Sequence, residues 1–196
     1  MAHLNYEIHF RDLFILKKMV RTLRELSHEI GLHLKQYKNL NGATEIVKKY
    51  TGKDWKAYTR RDITDYTRIR VPVKNSIPLD IYVMSWPPCQ TSHFHNHSTG
   101  GCIMKVLAGR IKEEKIKLPE KRLKTRLMLP EDIGYIDDKI GYHSVSNPSP
   151  LRYAYSLHIY HPSGHTTRYF KFPVTTLFRN LPSSLPHKSI QIKNLF

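Results

Sequence analysis

The sequence predicts a mainly β fold, an antiparallel barrel or sandwich preceded by α-helices. Three observations carry that expectation. Apolar residues recur at helical spacing near the start, short β-rich runs take over from Tyr66, and Gly, Pro and Asn punctuate those runs. At 196 residues the chain is about one domain long, enough to bury a core without disulfides or structural metals. A single domain over 1–196 is expected, with helices over about 10–60, the β-barrel over about 66–175 and a tail over 180–196.

The elements follow in order. Leu16, Leu23, Ile30 and Tyr37 fall seven apart, and Met19, Val20, Leu26 and Leu34 fill the neighbouring helical positions. Residues from Arg11 to Tyr37 therefore read as one amphipathic helix, with Gly31 as a candidate break and the turn chemistry of Asn39 to Gly42 as its end. ATEIVKKY reads as a short helix closed by Thr51 and Gly52, and DWKAY offers a further helical turn. The β-rich runs are YTRIRV, LDIYVMSW, the histidine stretch TSHFHNH, CIMKVLAG, RIKEEKIKL, KTRLML, IGYID and RYAYSLHIY. Pro87-Pro88, Gly100-Gly101, Gly109-Arg110 and Asn147 to Pro150 connect them. The tail LPSSLPHKSIQIKNLF reads as a loop with one edge strand. In RYAYSLHIY, alternation puts Ser156, His158 and Tyr160 on one face and Tyr155, Leu157 and Ile159 on the other. That polar face either lines a barrel lumen or meets solvent, and parity alone leans to solvent.

Composition narrows the setting. Only Cys89 and Cys102 are present, without a zinc-type Cys-x-x-Cys spacing, so a reducing, cytoplasmic compartment is expected. The start MAHLNYEIHF, interrupted by Glu7 and followed by Asp12, is neither a signal core nor a transit peptide, and no run reaches membrane-span length. No membrane association is expected. Thirty-two Lys plus Arg against sixteen Asp plus Glu give +16. The basic blocks LKKMVRTLR, VKKY, TRRD and EKRLKTR are dispersed and do not interleave aromatics as nucleic-acid modules do. A solvated basic surface is the favoured reading, and nucleic-acid contact is the alternative.

The chemistry concentrates in TSHFHNHSTGGC. On a strand, residues two apart project to one side, so His95 and His97 reach one ion through imidazole nitrogens. With twelve histidines in the chain, such a pair needs a third ligand. His143 in KIGYHSVSNP is the best candidate, two residues after Gly141 at a strand entrance and four before Asn147. That pairing resembles the two sequence motifs of the cupin barrel, which implies an antiparallel jelly roll. Most cupins place an acid four or five residues after the His-x-His pair, where this chain has Gly101 and Cys102. Three neutral imidazoles would leave the ion its full charge and about three open positions for anionic ligands. His93 then falls at the rim, with a His93/His95 pairing as the alternative.

Taken together these residues resemble cysteine dioxygenase, the thiol-oxidising branch of the cupins. The resemblance runs from about Trp55 to Tyr160 and is carried by DYTRIR, YVMSWPPCQTSHFHNHSTGGCIMKVLAG, IDDKIGYHSVSNPS and YSLHIY. It implies Fe(II) held by His95, His97 and His143, and a substrate carboxylate bound by Arg68 with help from Tyr66. It further implies a phenol beside the iron from Tyr160, a thioether joining Cys102 to Tyr160, a relay of His158 and Ser156, and Trp86 packed behind. Read singly, Arg68 is equally a surface charge, Trp86 core and Cys102 a small buried hydrophobe; their joint order and spacing favour the site. Two departures bear on the pocket mouth, namely Gly101 where the family often has a polar residue and HPSGH after Tyr160.

The expected activity is oxidation of L-cysteine by O2 to cysteine sulfinic acid, by a monomer. The alternatives are a dioxygenase for 3-mercaptopropionate or cysteamine, the latter disfavoured by Arg68, a cupin holding zinc or nickel without turnover, and a basic nucleic-acid-binding protein.

Overall fold

A computed structural model describes residues 19–73, 77–117 and 122–170. Its helical part consists of α1 (Leu23–Tyr37), α2 (Thr44–Lys48) and a 3-10 turn (Asp54–Tyr58). Ten strands follow: β1 (Thr67–Arg70), β2 (Asp80–Trp86), β3 (Phe94–His95), β4 (Cys102–Ala108), β5 (Ile111–Lys117), β6 (Arg122–Met128), β7 (Ile133–Ile136), β8 (Gly141–Ser146), β9 (Ala154–Tyr160) and β10 (Tyr169–Phe170). The tail over 180–196, with its expected edge strand, lies outside the described residues, as do residues 171–175 of the expected barrel.

The first helix starts later than the apolar periodicity predicts. Its portion before Met19 lies outside the described residues, and Val20 is drawn into a parallel bridge with Tyr50. Thr22 is the N-cap, its hydroxyl oxygen accepting from the Glu25 amide at 3.1 Å while the Glu25 carboxylate accepts from the Arg21 amide at 2.7 Å. Local capping thus outweighs the continued apolar spacing. Gly31 does not break the helix, because it sits in the buried stripe with Leu26, Ile30 and Leu34; the helix ends at Lys38 in a left-handed conformation.

The strands form two five-stranded antiparallel sheets, ordered β1-β2-β9-β4-β7 and β10-β3-β8-β5-β6. From β2 onward the chain crosses repeatedly between the sheets, so sequence neighbours mostly lie in opposite layers. This is the mainly β, jelly-roll architecture expected. The first sheet is buried on both faces. Ile81, Val83, Ile103, Leu157 and Ile159 pack under Leu26, Ile30, Leu34 and Val47 of the helices. Met84, Trp86, Met104 and Val106 face inward with Ile111, Met128 and Val145 of the second sheet. This double cover explains why β9 is buried along nearly its whole length, and it removes the solvent-exposed reading of its polar face.

Lys105 ties the layers together. Its fully buried ammonium donates to the carbonyls of Val47 and Tyr50 at 3.2 and 2.6 Å, at the end of the second helix, and pairs with Glu131 at 2.7 Å. Among the described residues no helix is long and apolar enough to cross a membrane.

Candidate metal and thiol site

The inward face of the first sheet carries the site. Alternation along β9 points Ser156, His158 and Tyr160 inward, β2 adds Tyr82, Met84 and Trp86, and β4 adds Cys102. The second sheet faces them with His95 on β3 and His143 on β8, which are direct cross-strand partners. A cavity of about 70 Å³ opens between the sheets. Tyr66, Arg68, Trp86, His95, His158 and Tyr160 are among its lining residues.

His95, His97 and His143 form the one group of three candidate metal ligands among the described residues, with donor atoms all within 4.8 Å of one another. They converge for a different reason from strand alternation. β3 is only two residues long, and His97 lies beyond it in a loop. That loop is pinned where the His97 amide donates to the Asp138 carboxylate at 2.7 Å and Asn96 exchanges hydrogen bonds with the backbone of Arg168. His93 is exposed at the rim, its ring 6.1 Å from Tyr169, and takes no part in the cluster. The His93/His95 pairing is therefore not formed.

The hydrogen bonds set which nitrogen of each ring is free. His95 Nδ1 donates to the His93 carbonyl at 2.9 Å, and His143 Nδ1 donates to the Glu113 carboxylate at 2.8 Å, so both Nε2 atoms present lone pairs. His97 Nε2 stands 3.0 Å from His143 Nε2, and His97 Nδ1 is buried without a partner among the described residues. Two donors at right angles about an ion with bonds of about 2.1 Å stand about 3.0 Å apart. The spacing therefore fits a shared cation. Burial lowers the pKa of all three rings, most strongly at His97 and His143, where neighbouring imidazoles add to it. Neutral rings are the form that ligates.

Behind Tyr160 runs a chain of hydrogen bonds. Trp86 Nε1 donates to Ser156 Oγ at 2.8 Å, Ser156 Oγ lies 2.8 Å from His158 Nε2, and His158 Nδ1 lies 3.4 Å from the Tyr160 hydroxyl. Since tryptophan only donates, Ser156 can accept from it and pass its own proton toward Nε2, leaving Nδ1–H aimed at the phenol oxygen. Burial, then Arg68 and His95, push His158 down to about 3. Cys102 and Tyr160 are cross-strand partners and bury together with Ile136. Burial raises Cys102 to about 12 although the Tyr160 hydrogen bond draws it back, and burial with the adjacent thiol raises Tyr160 well above its usual value.

Arg68 projects from β1 with its guanidinium 3.8 Å from the Tyr82 ring centroid and 5.1 Å from that of Tyr160. Among the described residues no carboxylate pairs with it, whereas Arg70 on the same strand is bonded to Asp80 at 2.6 Å. Tyr66 stacks on Trp86 at 4.7 Å, and burial and the adjacent Tyr169 raise its phenol to about 12. Every site residue expected from the sequence thus lies on or beside one cavity. Tyr82, Glu113 and Tyr169 were not expected. An aromatic in LDIYVMSW reads as core and an acid in RIKEEKIKL as solvated charge; only the strand parity shared by Ile111 and Glu113 pointed inward.

A sequence model of the cysteine dioxygenase type I family matches residues 16–172. The chain belongs to this family, one of dioxygenase enzymes. It is 27% identical to cysteine dioxygenase type 1 of Danio rerio over 162 residues, covering 79% of this chain and 78% of that relative. It is 31% identical to cysteine dioxygenase type 1 of Homo sapiens over 123 residues, covering 60% of this chain and 61% of the human protein. A solved structure of oxalate oxidase superposes with a TM-score of 0.50 at 13% identity, covering 57% of this chain and 59% of that chain, a likeness of fold alone. Family membership and the three-histidine cluster both suggest a metal site.

Proposed function

We propose that the protein is a thiol dioxygenase that converts L-cysteine and O2 to cysteine sulfinic acid, with Fe(II) held by His95, His97 and His143. The observation that carries this reading is the joining of three neutral, convergent imidazoles to a guanidinium that pairs with no carboxylate among the described residues, across one small cavity. When bound, the iron supplies the redox chemistry that joins dioxygen to a thiol sulfur. The reaction balances as one thiol plus one O2 giving one sulfinic acid. The protein contributes placement and electrostatics.

Arg68 is the carboxylate reader in this proposal. Its guanidinium has no competing acid among the described residues, and a charge-assisted bond there orients the amino acid with its thiol toward the histidines. Tyr66, stacked on Trp86, closes the wall beside it. Tyr160 stays a neutral phenol, held by His158 and Ser156, and offers an O–H donor to atoms held between the sheets. Apolar Met84 and Val145 limit water around the reacting sulfur.

The test is to incubate iron-loaded protein with L-cysteine, 3-mercaptopropionate or cysteamine and follow oxygen uptake and the oxidised sulfur product. The proposal expects cysteine sulfinic acid from cysteine and much slower use of cysteamine, which has no carboxylate. Faster turnover of 3-mercaptopropionate than of cysteine would reassign the substrate while keeping the reaction.

A further inference from the structure

The three clustered histidines differ at the nitrogen facing away from the cluster. His95 leans on a backbone carbonyl, His97 has no partner there among the described residues, and His143 donates to the Glu113 carboxylate at 2.8 Å. Glu113 is thus the one carboxylate hydrogen-bonded to an imidazole ring of the cluster among the described residues. It is itself buried, at 5% exposure, on β5 next to β8. Lys115, cross-strand partner of His143, stands 3.4 Å from the same carboxylate oxygen and donates to the Tyr135 carbonyl at 3.2 Å. A buried carboxylate is costly unless paired, and here an imidazole N–H and an ammonium share one oxygen.

We infer that Glu113 is a positioning residue for His143, holding the proton on Nδ1, turning the Nε2 lone pair into the cluster and raising its donor strength. This rests on the proposed three-histidine metal reading. The acid absent from the slots at Gly101 and Cys102 is then present one hydrogen bond further back, where it enriches a ligand without taking a coordination position. Lys115 balances its charge.

The experiment titrates metal-free protein with Fe(II) under anaerobic conditions and with Co(II), recording the visible Co(II) spectrum and the melting temperature of the metal-free form. Glu113→Gln keeps the shape but removes the charge, and it is expected to weaken both ions about tenfold and to shift the Co(II) bands. Glu113→Ala is expected to weaken them toward about a hundredfold. Metal-free melting temperatures close to wild type are expected for Gln. Wild-type affinity and spectrum in the Gln variant overturn the inference, as does an affinity loss matched by collapse of the metal-free melting temperature. If Glu113→Ala does not fold, the Gln variant decides alone. His143→Ala separates the two levels. Retained wild-type affinity there overturns the three-histidine reading itself, whereas loss there with unchanged Glu113 variants overturns only the role of Glu113.

Discussion

The guanidinium of Arg68 lies 3.8 Å from the ring centroid of Tyr82, and that ring meets Tyr160 edge-on at 6.0 Å. Tyr82 therefore holds the proposed carboxylate reader in place without neutralising it, as an acid would. A hydrogen bond to a charged partner contributes about 1.5 to 3 kcal/mol, so Arg68→Ala is expected to lower kcat/KM for cysteine about ten- to a hundredfold and to leave cysteamine nearly unchanged. Cation–π contacts contribute about 0.5 to 2 kcal/mol, so Tyr82→Leu is expected to raise KM for cysteine by about two- to thirtyfold, with Tyr82→Phe close to wild type. Equal losses for both thiols in Arg68→Ala would assign it to the fold.

Cys102 and Tyr160 face each other across β4 and β9, buried at 0% and 5% exposure. A thioether between the sulfur and the phenol ring removes two hydrogens, with dioxygen at the proposed site as oxidant. It would fix the phenol's distance from the histidines. After turnover with cysteine, intact-mass and peptide analysis should show a fraction of chains lighter by two hydrogens with Cys102 and Tyr160 in one peptide. Cys102→Ser should abolish that fraction. Only free Cys102 after many turnovers in active protein would reject the link and leave the dioxygenase reading standing.

The two thiols also differ in exposure. Cys89 is exposed, whereas Cys102 is fully buried and pushed up to about 12, so at pH 8 it is a neutral thiol. Brief alkylation of the folded protein is expected to label Cys89 alone, and labelling in denaturant to reach both. Equal labelling in the folded state would contradict the burial of the proposed crosslink partner.

Gly101 has a structural reason. Its φ is +92°, and an added Cβ would come within 2.5 Å of the Tyr135 ring. Gly101→Ala is expected to destabilise the protein by about 1 to 3 kcal/mol, read by denaturant melts, through backbone strain and displacement of that ring. A change below about 0.5 kcal/mol would show that the Tyr135 ring yields easily.

Much of the barrel was legible because its strands alternate and end in turn residues, as in DIYVMSW and AYSLHIY. The histidine stretch was read as a strand but only its two residues Phe94 and His95 form one, and β10 was not legible, since it is set by pairing with β3 and has no local pattern. The start of α1 was misplaced because Met19 and Val20 continue the apolar spacing while tertiary pairing with Tyr50 takes Val20 out of the helix. Parity in TSHFHNH led to His95 and His97, although the loop hydrogen bonds of Asn96 and Asp138 are what aim His97. Glu113 and Tyr82 stayed hidden because their meaning depends on partners thirty and fourteen residues away, His143 and Arg68.

The most direct measurement uses heavy-isotope-labelled dioxygen with iron-loaded protein and L-cysteine, followed by mass spectrometry of the product. The account predicts cysteine sulfinic acid with both sulfinate oxygens from O2, one O2 consumed per cysteine, and loss of both signals in His143→Ala. Cystine and peroxide in place of the sulfinate, or sulfinate formed at the wild-type rate by His143→Ala, would contradict it.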